Sequence, residues 1–558
     1  MTYAVDFEFY AAPGERPRPW CLCWEAVETG EEGRLWIDGE DVQPPEFTDD
    51  DLVIAHYALA EMTCYEALGW KMPPRVIDTL AEARVVRGQV KQGGWGLLKV
   101  CESFGIATMS GEHKEEMREV AMATSVAPGD RAPLMQYCLD DGRALAELWR
   151  RMGHLVDIPQ AELRGRYLKA LACVEGRGVP ADSDLIRRLE DKWPEVRKRA
   201  RVAALETYPG TFTEDGSFSA TGWLRWCADN KVSWPLLPSG APQLDEETFR
   251  RVAGRFPQVE FMRNTRRTLS ASRAVEFPLG HDSRLRCMLS PFGSDTGRNQ
   301  PSNARYVFGM AAWLRRVIQA PAGKVLAYVD YASQEFAIAG ALSGDEGMIE
   351  DYLDSDDPYL SLARRANAVP ADATKQTHAK ERAAFKETAL GVQFGMGAYT
   401  LSGRLGMGQG RAAELVAAHK EAYRRYWTWR EALIDHVLTG GKVETRYGWR
   451  RKAGPLTKGT SIGNFLVQST GAEILRLAIT ALEERGHKVV APVHDAVLVE
   501  MEEQGHEQEL EAIRAVMKRA GRVVTGVTIR TDAELVAPLD HFEDGRGSEM
   551  WEAIGGLV

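Results

Sequence analysis

The spacing of apolar and polar residues changes period several times along this 558-residue chain, and each change marks an element. YAVDFEFY, near the N-terminus, alternates as the edge of a sheet does, so Asp6 and Glu8 point to one face and can share a metal ion. LMQYCLDDGRALAELW has helical spacing and sets Tyr137 and Asp141 one turn apart. EGRGVPADSDLIRRLEDKWPEVRKRA passes from a Gly-Val-Pro turn into an amphipathic helix. The β-rich run 325–331 delivers Asp330 just as GKVLAYVDYASQEFAIAGALSGD turns helical. In KVVAPVHDAVLVE two apolar strands flank His494-Asp495 at a hairpin tip.

If those strands pair, Asp330 and Asp495 meet. Two carboxylates about 4 Å from a shared pair of divalent ions suit in-line phosphoryl transfer, because one metal activates the attacking oxygen and the other stabilises the leaving one. Mg2+ fits such hard oxygen ligands, two ions per site, with Mn2+ able to substitute. In ERAAFKETALGVQFGMGAY, the residues Arg382, Lys386, Leu390 and Phe394 recur every four positions. Each such step drifts only about 40° around a helix, so they form one stripe with two cations at its N-terminal end. The cations can clamp a triphosphate and screen the charge that develops on pyrophosphate, while the apolar half closes over a base and sugar.

Taken in order, SDTGRNQPSN around Arg298, AWLRRVIQAP around Arg315, the Asp330 run, the Arg382 stripe, VETRYGWR ending in Arg450, TSIGNFLVQSTGAEILRLA with Asn464 and Gln468, and the Asp495 hairpin resemble the motifs of family A DNA polymerases, the group related to bacterial DNA polymerase I. The similarity runs over roughly residues 284–500. Asp6, Glu8, Glu61, Tyr137 and Asp141 resemble the site of a proofreading 3′–5′ exonuclease of the DEDDy type. The resemblance implies a multidomain α/β and α+β fold, an RNase H-like exonuclease followed by a right-hand polymerase. Its expected divisions are the exonuclease at 1–150, a thumb region at 151–290, palm with motif A at 291–345, fingers with motif B at 346–440, and palm with motif C at 441–558.

By the same likeness, Asp330 and Asp495 carry nucleotidyl transfer from dNTPs to a primer, and the Tyr331 carbonyl completes a metal site. Arg382, Lys386, Glu335, Leu390 and Phe394 would contact the dNTP. Glu335 is the implied steric gate, since a carboxylate packed under the sugar leaves a ribose 2′-OH neither room nor partner. Arg298, Arg450, Asn464 and Gln468 would follow the minor groove of the primer-template, whose acceptors are common to every base pair, and His494 would orient the primer end. In the exonuclease, Asp6, Glu8, Glu61 and Asp141 would hold two metals and Tyr137 would orient the attacking water.

Several positions depart from the family pattern. Glu61 stands where aspartate is usual, and Tyr57 where asparagine commonly precedes it. Phe394 lacks the hydroxyl of the family's tyrosine, Leu390 replaces a common aromatic, Tyr359 replaces a histidine near the phosphates, and Ala496 follows Asp495 where many relatives have glutamate.

Composition adjusts this picture only slightly. A hydrophobic content of 44% and a charged content of 27% are those of a globular protein, and the length allows several domains. The net charge of −11 does not favour a polyanionic partner, yet RNTRR and RYGWRRK are locally basic. Arg263, Arg266 and Arg267, on neighbouring helical turns, can either touch duplex phosphates or form a solvated helix face. The eight cysteines include no C-x-x-C pair, which fits reduced cytosolic thiols. No signal peptide or long apolar run is visible, so a monomeric intracellular enzyme without membrane contact is expected, in the host cytoplasm if phage-encoded. The compact layout, without a 5′-nuclease domain, looks phage-like. A single-subunit RNA polymerase and a non-catalytic DNA-binding protein on a polymerase scaffold are the competing readings; Glu335 and the N-terminal acids speak against the first, intact Asp330, Lys386 and Asp495 against the second.

Overall fold

The computed structural model describes the chain except residues 40–41, 92, 108–110, 255, 271–275, 354–356 and 455, and the side chains of 111–113. Two sheets organise it. The first has the order β3-β2-β1-β4-β5, formed by β1 (Thr2–Tyr10), β2 (Arg18–Ala26), β3 (Glu32–Trp36), β4 (Leu52–Ala55) and β5 (Arg75–Asp78). β1 runs antiparallel to β2 and parallel to β4, so it is the central strand and not the edge that its alternation suggests. The polar positions alternate because Asp6 and Glu8 face an acidic pocket roofed by a helix.

The helices around this sheet are α1 (Leu59–Ala67), α2 (Thr79–Arg87), α3 (Leu97–Ser103), α4 (Gly111–Ala121) and α5 (Arg131–Met152). Asp78 starts α2 by accepting from the Leu80 N–H, and Gly88 ends it in the left-handed region at φ 59°. The Gly88 carbonyl then accepts from Lys452 N–H at 2.9 Å, which stitches the sheet unit to the C-terminal half.

Residues 151–290 do not form a thumb throughout. α6 (Ile158–Arg177), capped by Asp157, is a brace between α1 and the long palm helix. It packs so closely on β5 that a Cβ at Gly165 would lie 1.8 Å from the Val76 carbonyl oxygen. A short pair, β6 (Val179–Pro180) with β7 (Arg284–Leu285), brackets the helices beyond: α7 (Ser183–Asp191), α8 (Trp193–Thr207), α9 (Ala220–Asp229), α10 (Glu246–Ala253) and α11 (Glu260–Ser270). Tyr208, Trp223, Trp226 and Phe249 fill their core.

The arginines of α11 serve this packing rather than touching DNA phosphates or forming a solvated face. Arg263 is ion-paired with Glu246 and Glu260. Arg266 lies over the Phe218 and Phe249 rings, and Arg267 donates to the Gly309 carbonyl. Internal acids, rings and carbonyls satisfy each cation, so the side chains are spent before a duplex arrives.

The second sheet, β11-β12-β8-β13, is the palm. β8 (Lys324–Tyr331) lies between β12 (Ala496–Glu502) and β13 (Thr531–Val536), and β11 (Lys488–Val493) extends it, all antiparallel. Between β8 and β11 come α12 (Gln334–Ser343), α13 (Glu346–Leu353), α14 (Pro358–Arg365), α15 (Ala379–Gln393), α16 (Ala398–Leu405), α17 (Gln409–Ala422) and α18 (Arg424–Leu438). The ribbon β9 (Lys442–Glu444) and β10 (Arg450–Lys452) and the helix α19 (Gly459–Glu483) follow them. α20 (His506–Thr525) covers the sheet, and α21 (Ser548–Ile554) packs on α8. α19 is apolar enough to cross a membrane by length and composition, but 83% of its most apolar window is buried within the protein.

A buried ion pair joins the two halves. Arg164 of α6 holds Glu82 of α2 through two bonds of 2.6 and 2.8 Å and donates to the Tyr447 carbonyl, with both charged side chains 5% exposed or less. Removing one partner strands a buried charge, which costs about 3–5 kcal/mol, whereas replacing both is far milder. Arg164→Met is therefore expected to lower the urea midpoint strongly and Arg164→Met/Glu82→Leu to recover most of the loss; equal loss in both would contradict the pairing.

Candidate active sites

The palm site is set by strand register. Asp330 is directly opposite Ala496 on β12, and Val493 pairs with Ala496 across the hairpin, leaving a two-residue loop of His494 and Asp495. His494 turns the chain at φ 56°, in the left-handed region. Asp495 thus emerges one residue beyond the partner of Asp330, close enough for the two carboxyls to act on each other. Burial, then the Asp495 charge, pushes Asp330 up to about 7. Burial raises Asp495 as well. Asp330 Oδ1 is buried without a hydrogen-bond partner. An orphaned oxygen beside a second acid is a donor set that fits a divalent cation. The Tyr331 hydroxyl is committed to the Met517 carbonyl in the core, so only its main chain is available at the site.

On the nucleotide side, α15 carries Arg382, Lys386 and Leu390 on one stripe, and Phe394 stands just past its last turn. Arg382 is ion-paired with Asp357, the cap of α14, and Lys386 is exposed. The buried Tyr359 ring faces both cations, with its centroid 5.8 Å from Arg382 and 5.9 Å from Lys386. Glu335, in the first turn of α12, is held by Arg298 at 3.0 Å, and its carbonyl accepts from Gln393. Asn464 donates to the Phe394 carbonyl, and Gln468 follows one turn later on α19. His494 is exposed beside the acids. Arg450 is not gathered with them: it pairs with Glu444 across the β9–β10 ribbon. Arg315 is also structural, held by Asp544 and the Phe308 carbonyl.

The N-terminal acids converge too. Ligand oxygens of Asp6, Glu8 and Asp141 all lie within 4.8 Å of one another. Glu61, 4% exposed on α1, joins them from below; burial raises its pKa, then the charges of Asp6 and Glu8. Burial likewise raises Asp6, followed by Asp141, and raises Glu8, followed by Asp6. Asp6 Oδ2, Glu61 Oε2 and Asp141 Oδ1 are buried without partners, which fits a cluster built for divalent cations. Tyr137 is buried one turn before Asp141 on α5. Tyr57 lies at φ 72°, and Asp78 accepts its N–H at 2.9 Å.

One participant escaped the sequence reading. Lys114 of α4 places its ammonium 2.7 Å from Asp141 Oδ2 and over the Tyr137 ring, and it lowers the pKa of both Asp6 and Glu8. Nothing in the charged stretch around it distinguishes Lys114 from a solvated helix lysine.

Residues 303–537 match the model of DNA polymerase family A. Relatives include the thermostable DNA polymerase I of Thermus caldophilus, 28% identical over 220 residues that are 37% of this chain and 26% of that protein. The DNA polymerase of Mycobacterium phage D29 is 27% identical over 227 residues, 40% of this chain and 36% of that one. The matched part thus spans well under half of either relative. A solved structure titled as the POL domain of Pol1 from M. smegmatis in complex with DNA primer-template and dNTP superposes with a TM-score of 0.70 at 17% identity, over 97% of this chain and 95% of that one. That likeness is one of fold, and it takes in the N-terminal sheet as well as the palm.

The raised Asp330 has a consequence for stability. Between the ordinary carboxylate value of 3.8 and about 7, the metal-free folded protein keeps a proton there that the unfolded chain has lost. Its contribution to stability therefore falls as pH rises through that window. Asp330→Asn is expected to raise the melting temperature in EDTA at pH 8, with the gain shrinking toward pH 4. A gain that is absent at pH 8, or that does not depend on pH, would contradict the buried pair.

Proposed function

We propose that this chain is a template-directed DNA polymerase that extends a primer from dNTPs and trims mismatched 3′ ends at its N-terminal site. The observation that carries the first half is Asp330 beside Asp495 with an unpartnered buried oxygen. The primer 3′ oxygen attacks the α-phosphorus, a new P–O bond forms, the bond to the β-phosphate oxygen breaks, and pyrophosphate leaves. Divalent ions held by Asp330, Asp495 and the Tyr331 carbonyl would activate the attacking oxygen and shield the leaving one, with Mg2+ the expected species. Arg382 exchanges Asp357 for phosphate oxygens, Lys386 meets the leaving pyrophosphate, and Tyr359 supports both from beneath.

Sugar selection rests on Glu335. Phe394 has no hydroxyl to hold that carboxylate, and Arg298 holds it instead. Glu335→Ala should raise the use of rNTP relative to dNTP about 10-fold or more. Equal use of both sugars by the unaltered protein would favour the RNA polymerase reading.

The trimming activity is supported by the four clustered acids near Tyr137, three of which (Asp6, Glu61 and Asp141) have a buried oxygen without a partner. The likeness to a phage D29 polymerase favours replication of a phage-like genome. One experiment separates the two sites: a mismatched primer-template incubated with and without dNTPs. Asp6→Ala is expected to stop removal of the mismatched end while matched primers are still extended. Asp495→Asn should cut extension by about 10³-fold, an effect worth ~4 kcal/mol in the barrier, while the primer-template still binds. Extension by Asp495→Asn at the normal rate would refute the palm assignment, and unchanged trimming by Asp6→Ala the exonuclease assignment.

A further inference from the structure

Asp330 lies on the middle strand of its part of the palm, so two residues flank it at the same level. On β12 the flanking residue is Ala496, which offers only a methyl group. On β13 it is Asp532. Residues directly opposed in antiparallel strands project to the same face with Cβ atoms about 4.5–5.5 Å apart. The Asp532 carboxylate therefore stands on the face that carries Asp330, on the side away from Ala496.

Three further observations bear on this placement. β13 is anchored at its start, because Arg514 donates to both the hydroxyl and the carbonyl of Thr531. The nearest cation along the strand, Arg530, lies over the Tyr352 ring, 4.5 Å from its centroid. Among the described residues no cation pairs with Asp532. Asp532 and Asp330 thus stand side by side, with Asp495 on the far side of Asp330, a grouping that repels itself unless a cation joins it.

We propose that Asp532 is a third carboxylate of the palm metal site, holding a divalent ion from the β13 side either directly or through one of its waters. This rests on the polymerase reading of Asp330 and Asp495. In that arrangement Asp532 restores from the opposite strand a negative charge that Ala496 does not provide. Asp532 is exposed, so its substitution should leave the fold intact.

The test measures metal binding directly, by Mn2+ electron paramagnetic resonance on the metal-free full chain carrying Asp6→Ala and Glu8→Ala to silence the N-terminal site. In that background Asp532→Asn is expected to weaken Mn2+ binding about tenfold and Asp532→Glu to retain most of it, as for other groups that steady a metal's ligands. The Mg2+ concentration giving half-maximal primer extension should rise in parallel for Asp532→Asn. An Asp532→Asn isotherm that superimposes on the parent, while Asp330→Asn weakens binding, would overturn the role of Asp532 alone. If neither Asp330→Asn nor Asp495→Asn changes Mn2+ binding, the palm metal site itself is refuted.

Discussion

The strand register that brings Asp330 against the turn carrying Asp495 is the constraint on which the rest of the palm depends. A slip of one residue would move every side chain of β8 to the other face, burying Asp330 among apolar residues and exposing Val329. Apolar residues on both neighbouring strands hold the register, so hydrophobic packing keeps like charges together that would otherwise separate. Burial first, and then the charge of Asp495, raises Asp330, and bound divalent ions would relieve the repulsion. A site that is unfavourable when empty is a site prepared to bind, with stability given up locally for function.

The N-terminal site repeats the principle with different elements. There a strand contributes two acids, a short helix one and a long helix one, and burial keeps their oxygens from water. Lys114 supplies the neutralising charge between them in the metal-free protein. Bonds from Lys452 to Gly88 and from Arg164 to Glu82 and Tyr447 join the sheet unit to the ribbon and the brace helix.

Much of this was legible from periodicity. A run of alternating apolar residues that ends in an acid, and a hairpin with an acid at its tip, can pair in few ways, and the α15 stripe follows from spacing alone. What periodicity could not supply was the partner of each charge. Arg263, Arg266 and Arg267 have the spacing of a phosphate-binding face, but the acids and rings that occupy them come from other helices. Arg450 resembles a groove contact, yet its neighbour across the ribbon is an acid. β1 alternates like an edge strand because its polar face is roofed by a helix that no local pattern reveals. Lys114 and Asp532 lie in stretches whose polar residues look solvated, and only the packing of distant elements brings them to the two sites.

Anomalous diffraction from Mn2+-soaked crystals tests the central claim most directly. Density bridging the carboxylates of Asp330 and Asp495 is the result this account requires. Manganese bound only among Asp6, Glu8, Glu61 and Asp141 would contradict it.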